Sequence, residues 1–435
     1  MTGLRNRWML GTPQFAWMGL ILMVAAVGAS SAAPVKAAKP KARPPATARV
    51  AAARTGVLPA AAVQVAAASK PAPQVNPPVA SAMGPKPLPD PPAPVIRGGP
   101  WKEPTYADST EGDNVDAEDL DVRRAAVAAL GPYNGTVVVV DSGTGRVLSM
   151  VHQKEALSSG FQPCSTIKVS VALAALSEKV IEPATKLRLD GLGKMDLTYA
   201  LAHSNNLYFS TLGEQLGFPK VSYYSHLFGY GEKAGLNIAG EQAGRFPSAP
   251  PRNGGVGMLT SFGEEVQQTP LELAALLSAV ANGGTLYYLQ YPRTVAEGAQ
   301  LVPRVKRRLD IGQAIPIIEP GMRGAVDFGT AHRAREDAPI AGKTGTCSDE
   351  SSRHLGWFGS YNETGKRKLV VVVLLTGGRP AIGPLAAGIA GDVYRRLEQE
   401  KYFARQASGP VGGAGGKGVT QAGLRLASTP MCCAK

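Results

Sequence analysis

The sequence predicts an α+β fold: one antiparallel sheet packed against helices, with a mostly helical subdomain between the two halves of the sheet. Three observations carry this. Strand-like runs rich in Val, Leu and aromatic residues lie early in the body, at 137–140 and 146–151, and again late, at 343–346, 357–361 and 369–375. The stretch between them holds apolar runs of helical character, at 169–176 and 271–281. Turn residues punctuate the rest. Strands at both ends with helices between them form a sheet covered by a helical layer.

The elements follow in order. Residues 116–130, acidic and then alanine-rich, read as a helix. Asp141, Ser142, Gly143, Thr144 and Gly145 form the turn between the first two strands. A central helix starts at Ser165, and the run behind it is apolar on nearly every side. Such a helix is buried, which sets its first turn at a cleft. Residues 196–202 read as a helix whose exit carries Ser204. The helix at 271–281 is closed by Asn282, Gly283 and Gly284. Residues 343–346 fall on a strand because two more strands follow, and 386–400 is a closing amphipathic helix.

The chain has 435 residues and a formal net charge of +13, which invites a nucleic-acid reading. The charge sits at the ends. Between 34 and 104, ten Lys or Arg residues face only Asp90 and Glu103, and 405–435 carries four basic residues and no acidic one. The body is close to neutral. A basic face with interleaved aromatics is not visible, so nucleic acid is excluded as a partner. Basic ends suit anionic lipid or wall polymers.

Arg5 and Arg7 precede an apolar run from Phe15 to Val27, followed by small residues to Ala33. Residues 1–33 therefore read as a secretory signal or as an uncleaved membrane anchor, since the run spans about the ~20 residues a bilayer requires. Residues 34–110 read as an Ala/Pro-rich basic linker and 405–435 as a Gly-rich tail, both disordered. The folded body is 111–404, placed outside the cytoplasm.

Ser165 and Lys168 stand three residues apart, on one face of a helical turn. A serine hydroxyl attacks well only when a base takes its proton, and a lysine held neutral can do so. This S-x-x-K pair alone is weak and fits an ordinary polar helix start. Two later stretches change that: Ser204, Asn205, Asn206, and then Lys343, Thr344, Gly345, Thr346. In that order the three stretches resemble those of the penicillin-binding transpeptidases and the serine β-lactamases. The resemblance covers about 134–396. Phe228 to Leu236 and Thr269 to Ala274 are similar to segments of the penicillin-binding proteins rather than of the lactamases.

The resemblance implies a β-lactamase/transpeptidase-like fold and a set of roles. Ser165 is the nucleophile and Lys168 its base. Ser204 hands a proton to the leaving amine with support from Lys343. Asn206 holds the acyl-side amide, and Lys343, Thr344, Gly345 and Thr346 receive the substrate carboxylate. The implied ligands are peptidoglycan stem peptides and β-lactam antibiotics, with no cofactor and no metal. A membrane contact and cell-wall synthesis proteins are further implied partners.

Cys164 precedes the nucleophile and Cys347 follows the Lys343 stretch. In a lactamase subgroup both places are cysteines joined by a disulfide. A Cys164–Cys347 bond and two separate buried thiols are alternatives here: disulfides persist in an exported protein, but Cα atoms more than ~7 Å apart cannot be bridged. His203, His354 and Trp357 read as packing or hydrogen-bonding residues, and Asn205 as a turn residue. Cys432 and Cys433 are assigned nothing.

Three functions stay open. A D,D-transpeptidase or D,D-carboxypeptidase comes first. Class A β-lactamases carry a glutamate to activate water, and where that residue is expected the chain has Lys233, with Glu232 one place off; class D β-lactamases have S-x-V where this chain has Ser204, Asn205 and Asn206. A β-lactam sensor or wall-complex scaffold is the non-enzymatic reading.

Overall fold

The computed structural model describes residues 109–363, 368–377 and 381–408. The expected signal or anchor, nearly all of the linker and most of the tail lie outside these residues.

Gly135–Asp141 (β1) and Arg146–Val151 (β2) make the early hairpin, with Val137 opposite Val151. Ile340–Ser348 (β3), His354–Asn362 (β4) and Leu369–Gly377 (β5) make the late strands. They form one sheet of five strands in the order β2-β1-β5-β4-β3, antiparallel throughout. The last strand therefore enters beside the first, with Val139 opposite Val371. Both ends of the body close a single sheet, and everything between β2 and β3 is an insertion.

Leu120–Leu130 (α1) precedes the hairpin. The insertion contains Lys168–Ser177 (α2), Leu197–Ala202 (α3), Asn206–Leu227 (α4), Pro270–Ala281 (α5) and Ile315–Asp327 (α6). Gly383–Gln399 (α7) follows the sheet. Strand β5 is buried at every position. Its Val371 and Val373 join Val137 and Val139 against α1 and α7, while Val370, Val372 and Leu374 face the inserted helices. A strand covered on both faces reads as an unbroken apolar run rather than an alternating one.

Several boundaries differ from expectation, two of them for a clear local reason. The first helix begins at Leu120, not at 116, because the Asp119 carboxylate accepts from the N–H groups of Asp121 and Val122 and caps it there. Glu118 lies outside the helix and accepts instead from Met150 N–H and the Ser149 hydroxyl. The central helix is regular only from Lys168. Cys164–Ile167 is a 3₁₀ turn, entered through Cys164 in the left-handed conformation (φ 52°). The apolar helix α5 starts where expected, with Thr269 and Glu272 forming a reciprocal capping box. A helix at Tyr402–Ser408 continues beyond α7, and the Tyr402 hydroxyl donates to Asp119 Oδ2 at 2.8 Å.

Candidate active site

The 3₁₀ turn matters for the chemistry. With three residues per turn, side chains at i and i+3 eclipse one another. Ser165 and Lys168 are so related, and Lys168 Nζ lies 2.9 Å from Ser165 Oγ. Three more oxygens surround the same nitrogen: Ser204 O at 2.8 Å, Ser204 Oγ at 3.1 Å and Asn206 Oδ1 at 2.5 Å. Lys168 has no exposed surface, and the Phe209 ring lies 5.6 Å away. Burial, reinforced by the nearby charge of Lys343, brings its pKa down to about 6.

Ser204 sits between two helices. Helix α3, capped by Asp196, ends at Ala202. Ser204 then turns the chain in the left-handed conformation, and the Asn205 side chain accepts from Tyr208 N–H to cap α4. Asn205 is thus the turn residue expected. Asn206 opens α4 with its side chain at the cleft.

Strand β3 supplies the third wall. Lys343 is buried, donates to Thr344 O at 3.0 Å, and has its pKa pushed down by burial to about 7. Gly345 faces the nucleophile turn: a Cβ there would stand 2.8 Å from Pro163 O and 3.1 Å from Trp357 Cβ. Only glycine lets the strand and the turn approach this closely. On the neighbouring register positions, the Thr344 hydroxyl lies 2.7 Å from that of Thr330, and Thr346 Oγ1 accepts from Gly383 N–H at 2.8 Å.

Cys164 and Cys347 are joined by a disulfide, with Cα atoms 5.6 Å apart. The bond ties the residue before Ser165 to the residue after Thr346. Trp357 Nε1 donates to Gln162 O at 2.9 Å, so it braces the same turn. His354 bonds Ser348 on the surface. Ser165, Ser204 and Asn206 are therefore gathered around the Lys168 nitrogen, and Gly345 of the third stretch packs against the same turn. Thr330 and Gly383 were not anticipated; each is a single residue from a distant stretch with no spacing to mark it. Thr330 N–H also donates to Ala202 O at 3.1 Å, linking the Ser204 turn to β3. Among the described residues, no cluster of metal-ligating side chains forms.

Glu232 is engaged elsewhere. Its carboxylate is bound by the Arg307 guanidinium and by Lys306 at 3.1 Å.

The model of the penicillin binding protein transpeptidase domain matches residues 135–395. The chain belongs to this family. The match runs from β1 into α7 and contains every site residue named above. Among curated relatives of this penicillin-binding transpeptidase domain, stage V sporulation protein D of Bacillus subtilis is 29% identical over 272 residues, covering 54% of this chain and 42% of that protein. Peptidoglycan D,D-transpeptidase MrdA of Haemophilus influenzae is 27% identical over 371 residues, covering 65% and 57%. The chain thus spans about half the length of the curated relatives it matches. Among solved structures, Pseudomonas aeruginosa PBP2 superposes with a TM-score of 0.57 at 23% identity, over 66% of this chain and 76% of that one. The transpeptidase domain of Burkholderia pseudomallei penicillin-binding protein 3 gives 0.55 at 19% identity, over 65% and 94%. These likenesses show that the α+β fold is the family's.

Proposed function

We propose that the domain is a serine acyltransferase acting on the D-Ala-D-Ala ends of peptidoglycan stem peptides, and that β-lactams acylate it at Ser165. The carrying observation is Lys168, stripped of water and held against Ser165 Oγ at 2.9 Å. Neutral above pH about 6, it is free to take the hydroxyl proton as Oγ attacks the penultimate carbonyl. Ser204 passes a proton to the departing D-alanine nitrogen, the C–N bond breaks, and an ester remains on Ser165. Asn206 holds the acyl-side amide. The backbone N–H groups of Ser165 and Thr346 receive the oxyanion, worth about 3 kcal/mol per donor in such sites. Cationic Lys343, with the hydroxyls of Thr344 and Thr346 and the close approach allowed by Gly345, receives the carboxylate.

The geometry favours slow over fast release of the acyl group by water. The oxygens bonded to Lys168 come from Ser165, Ser204 and Asn206, none of them a carboxylate, and Glu232 is held by Arg307 and Lys306. That favours a transpeptidase or carboxypeptidase over a β-lactamase. The complete nucleophile, base and carboxylate pocket favours an enzyme over a scaffold or sensor. A disulfide beside the nucleophile suits an exported protein, periplasmic or on the outer face of the inner membrane. Contacts with the membrane through 1–33 and with cell-wall synthesis proteins belong to the same reading.

Intact mass of the full chain mixed with benzylpenicillin tests it. A lasting adduct that Ser165→Ala abolishes is the expected result. Rapid loss of penicillin without a lasting adduct would establish a β-lactamase instead, and neither adduct nor turnover would leave the scaffold.

A further inference from the structure

Three aromatic rings lie side by side without being covered, on the segments that lead to Ser204 and Thr330. Tyr199 and His203, one helical turn apart on and just beyond α3, have ring centroids 4.2 Å apart. His203 and Phe328 follow at 5.7 Å. Tyr199 is 51% exposed and Phe328 57% exposed. By contrast Tyr208 and Phe209, on the next helix, are fully buried. Large rings left open in a row serve contact with something else more often than they serve the core.

Their position says what. His203 is the residue before Ser204. Phe328 lies two residues before Thr330, whose hydroxyl pairs with Thr344. The rings are thus carried by the two segments that deliver the groups assigned to the departing D-alanine. An amine that attacks the acyl-enzyme retraces the path of the amine that left, because the forward and reverse steps share one transition state. The leaving-group side is therefore where an acceptor amine arrives.

We propose that Tyr199, His203 and Phe328 form the acceptor subsite, which binds the amine-bearing side chain of a second stem peptide. The inference rests on the acyltransferase reading and deepens it, from transfer to either acceptor toward transfer to an amine. Ring faces attract an ammonium through their quadrupole. They hold it without the strong ion pair that a carboxylate would form, so it can lose its proton and attack. The ammonium first releases one proton to solvent; the neutral amine nitrogen then bonds to the acyl carbon, the ester bond to Ser165 breaks, and the second proton lost by that nitrogen ends on Ser165 Oγ. Water gains nothing from the rings, so they bias the acyl-enzyme toward transfer.

The test is a partition measurement on the full chain. An N-acyl-D-alanyl-D-alanine peptide serves as donor and glycinamide as acceptor, and the amide and free-acid products are quantified by mass. Both products come from the same acyl-enzyme, so their ratio is independent of how much enzyme acylates. Tyr199→Ala with Phe328→Ala is expected to lower the amide-to-acid ratio by about tenfold, the scale of ring–cation contacts. Tyr199→Phe, which keeps the ring, is expected to retain the wild-type ratio. An unchanged ratio in the double alanine variant, or wild-type enzyme that acylates but gives only acid at high glycinamide, would overturn the subsite while leaving the acyltransferase reading standing. Wild-type chain that forms no acyl-enzyme would overturn both.

Discussion

Strand β5 and the turn around Ser165 are both closed to water, yet they hold opposite kinds of side chain. From 369 to 375 the strand carries only Leu and Val, and its burial is complete on both faces. Each such side chain contributes about 1.5–3 kcal/mol through removal from water. Around Ser165 the buried side chains are Lys168 and Lys343, whose charges burial disfavours. The same exclusion of water that stabilises the sheet lowers the lysine pKa values toward neutrality. Dryness supplies stability in one place and reactivity in the other.

The sharpest way to break that contrast is to make the site resemble the strand. Lys168→Met keeps an unbranched buried chain but removes the amine. Acylation by benzylpenicillin is expected to slow on the order of 10²- to 10⁴-fold, the usual worth of a general base, while the thermal midpoint holds or rises. A midpoint that falls by many degrees would show that the amine and its four oxygens act as a structural knot. The reverse experiment thins the strand. Val372→Ala is expected to cost about 2 kcal/mol of stability in denaturant unfolding, with the pH dependence of acylation unmoved.

On the proposed mechanism, that pH dependence follows from the two lysines with opposite signs. Lys168 works as the neutral amine, so protonation as pH falls below about 6 removes the base. Lys343 works as the cation, so deprotonation above about 7 weakens the hold on a carboxylate. Acylation rates at limiting benzylpenicillin should peak between these values. Lys343→Gln removes the positive charge that helps hold the Lys168 pKa down, and the acid limb should move to higher pH. An acid limb that stays in place would separate the two groups electrostatically. The smallest expected effect is at Thr330→Val, which deletes the partner of the Thr344 hydroxyl. It should raise the KM for a D-Ala-D-Ala peptide roughly fivefold, the scale of one hydrogen bond, with kcat little changed and Thr330→Ser restoring it.

Much of this arrangement was legible in the residues. The unbroken Leu/Val run, the turn at 141–145 and the apolar helix closed by Asn282, Gly283 and Gly284 announced their elements because each depends on neighbours in sequence. The three stretches of the site were legible through their order and the resemblance it carries, since the Ser165–Lys168 pair alone fits an ordinary helix start. The 3₁₀ turn was not: it arises from Cys164 in a left-handed conformation, bonded across the cleft to a residue 183 positions away. Thr330 and Gly383 were hidden too. Each acts through contacts with residues far away in sequence, made only when the segments around α6 and α7 dock beside β3.

The Cys164–Cys347 bond has a topological consequence. It closes the backbone into a covalent ring that contains the whole inserted helical region, from α2 through α6. Closing a loop of this length removes on the order of 5 kcal/mol of chain entropy from the unfolded state. Within the ring lies an exposed arginine, Arg252, on a loop of exposed residues at 252–254. Trypsin cutting there opens the ring without dividing the molecule. On a gel the nicked protein runs as one species until a reductant is added, and only then as two.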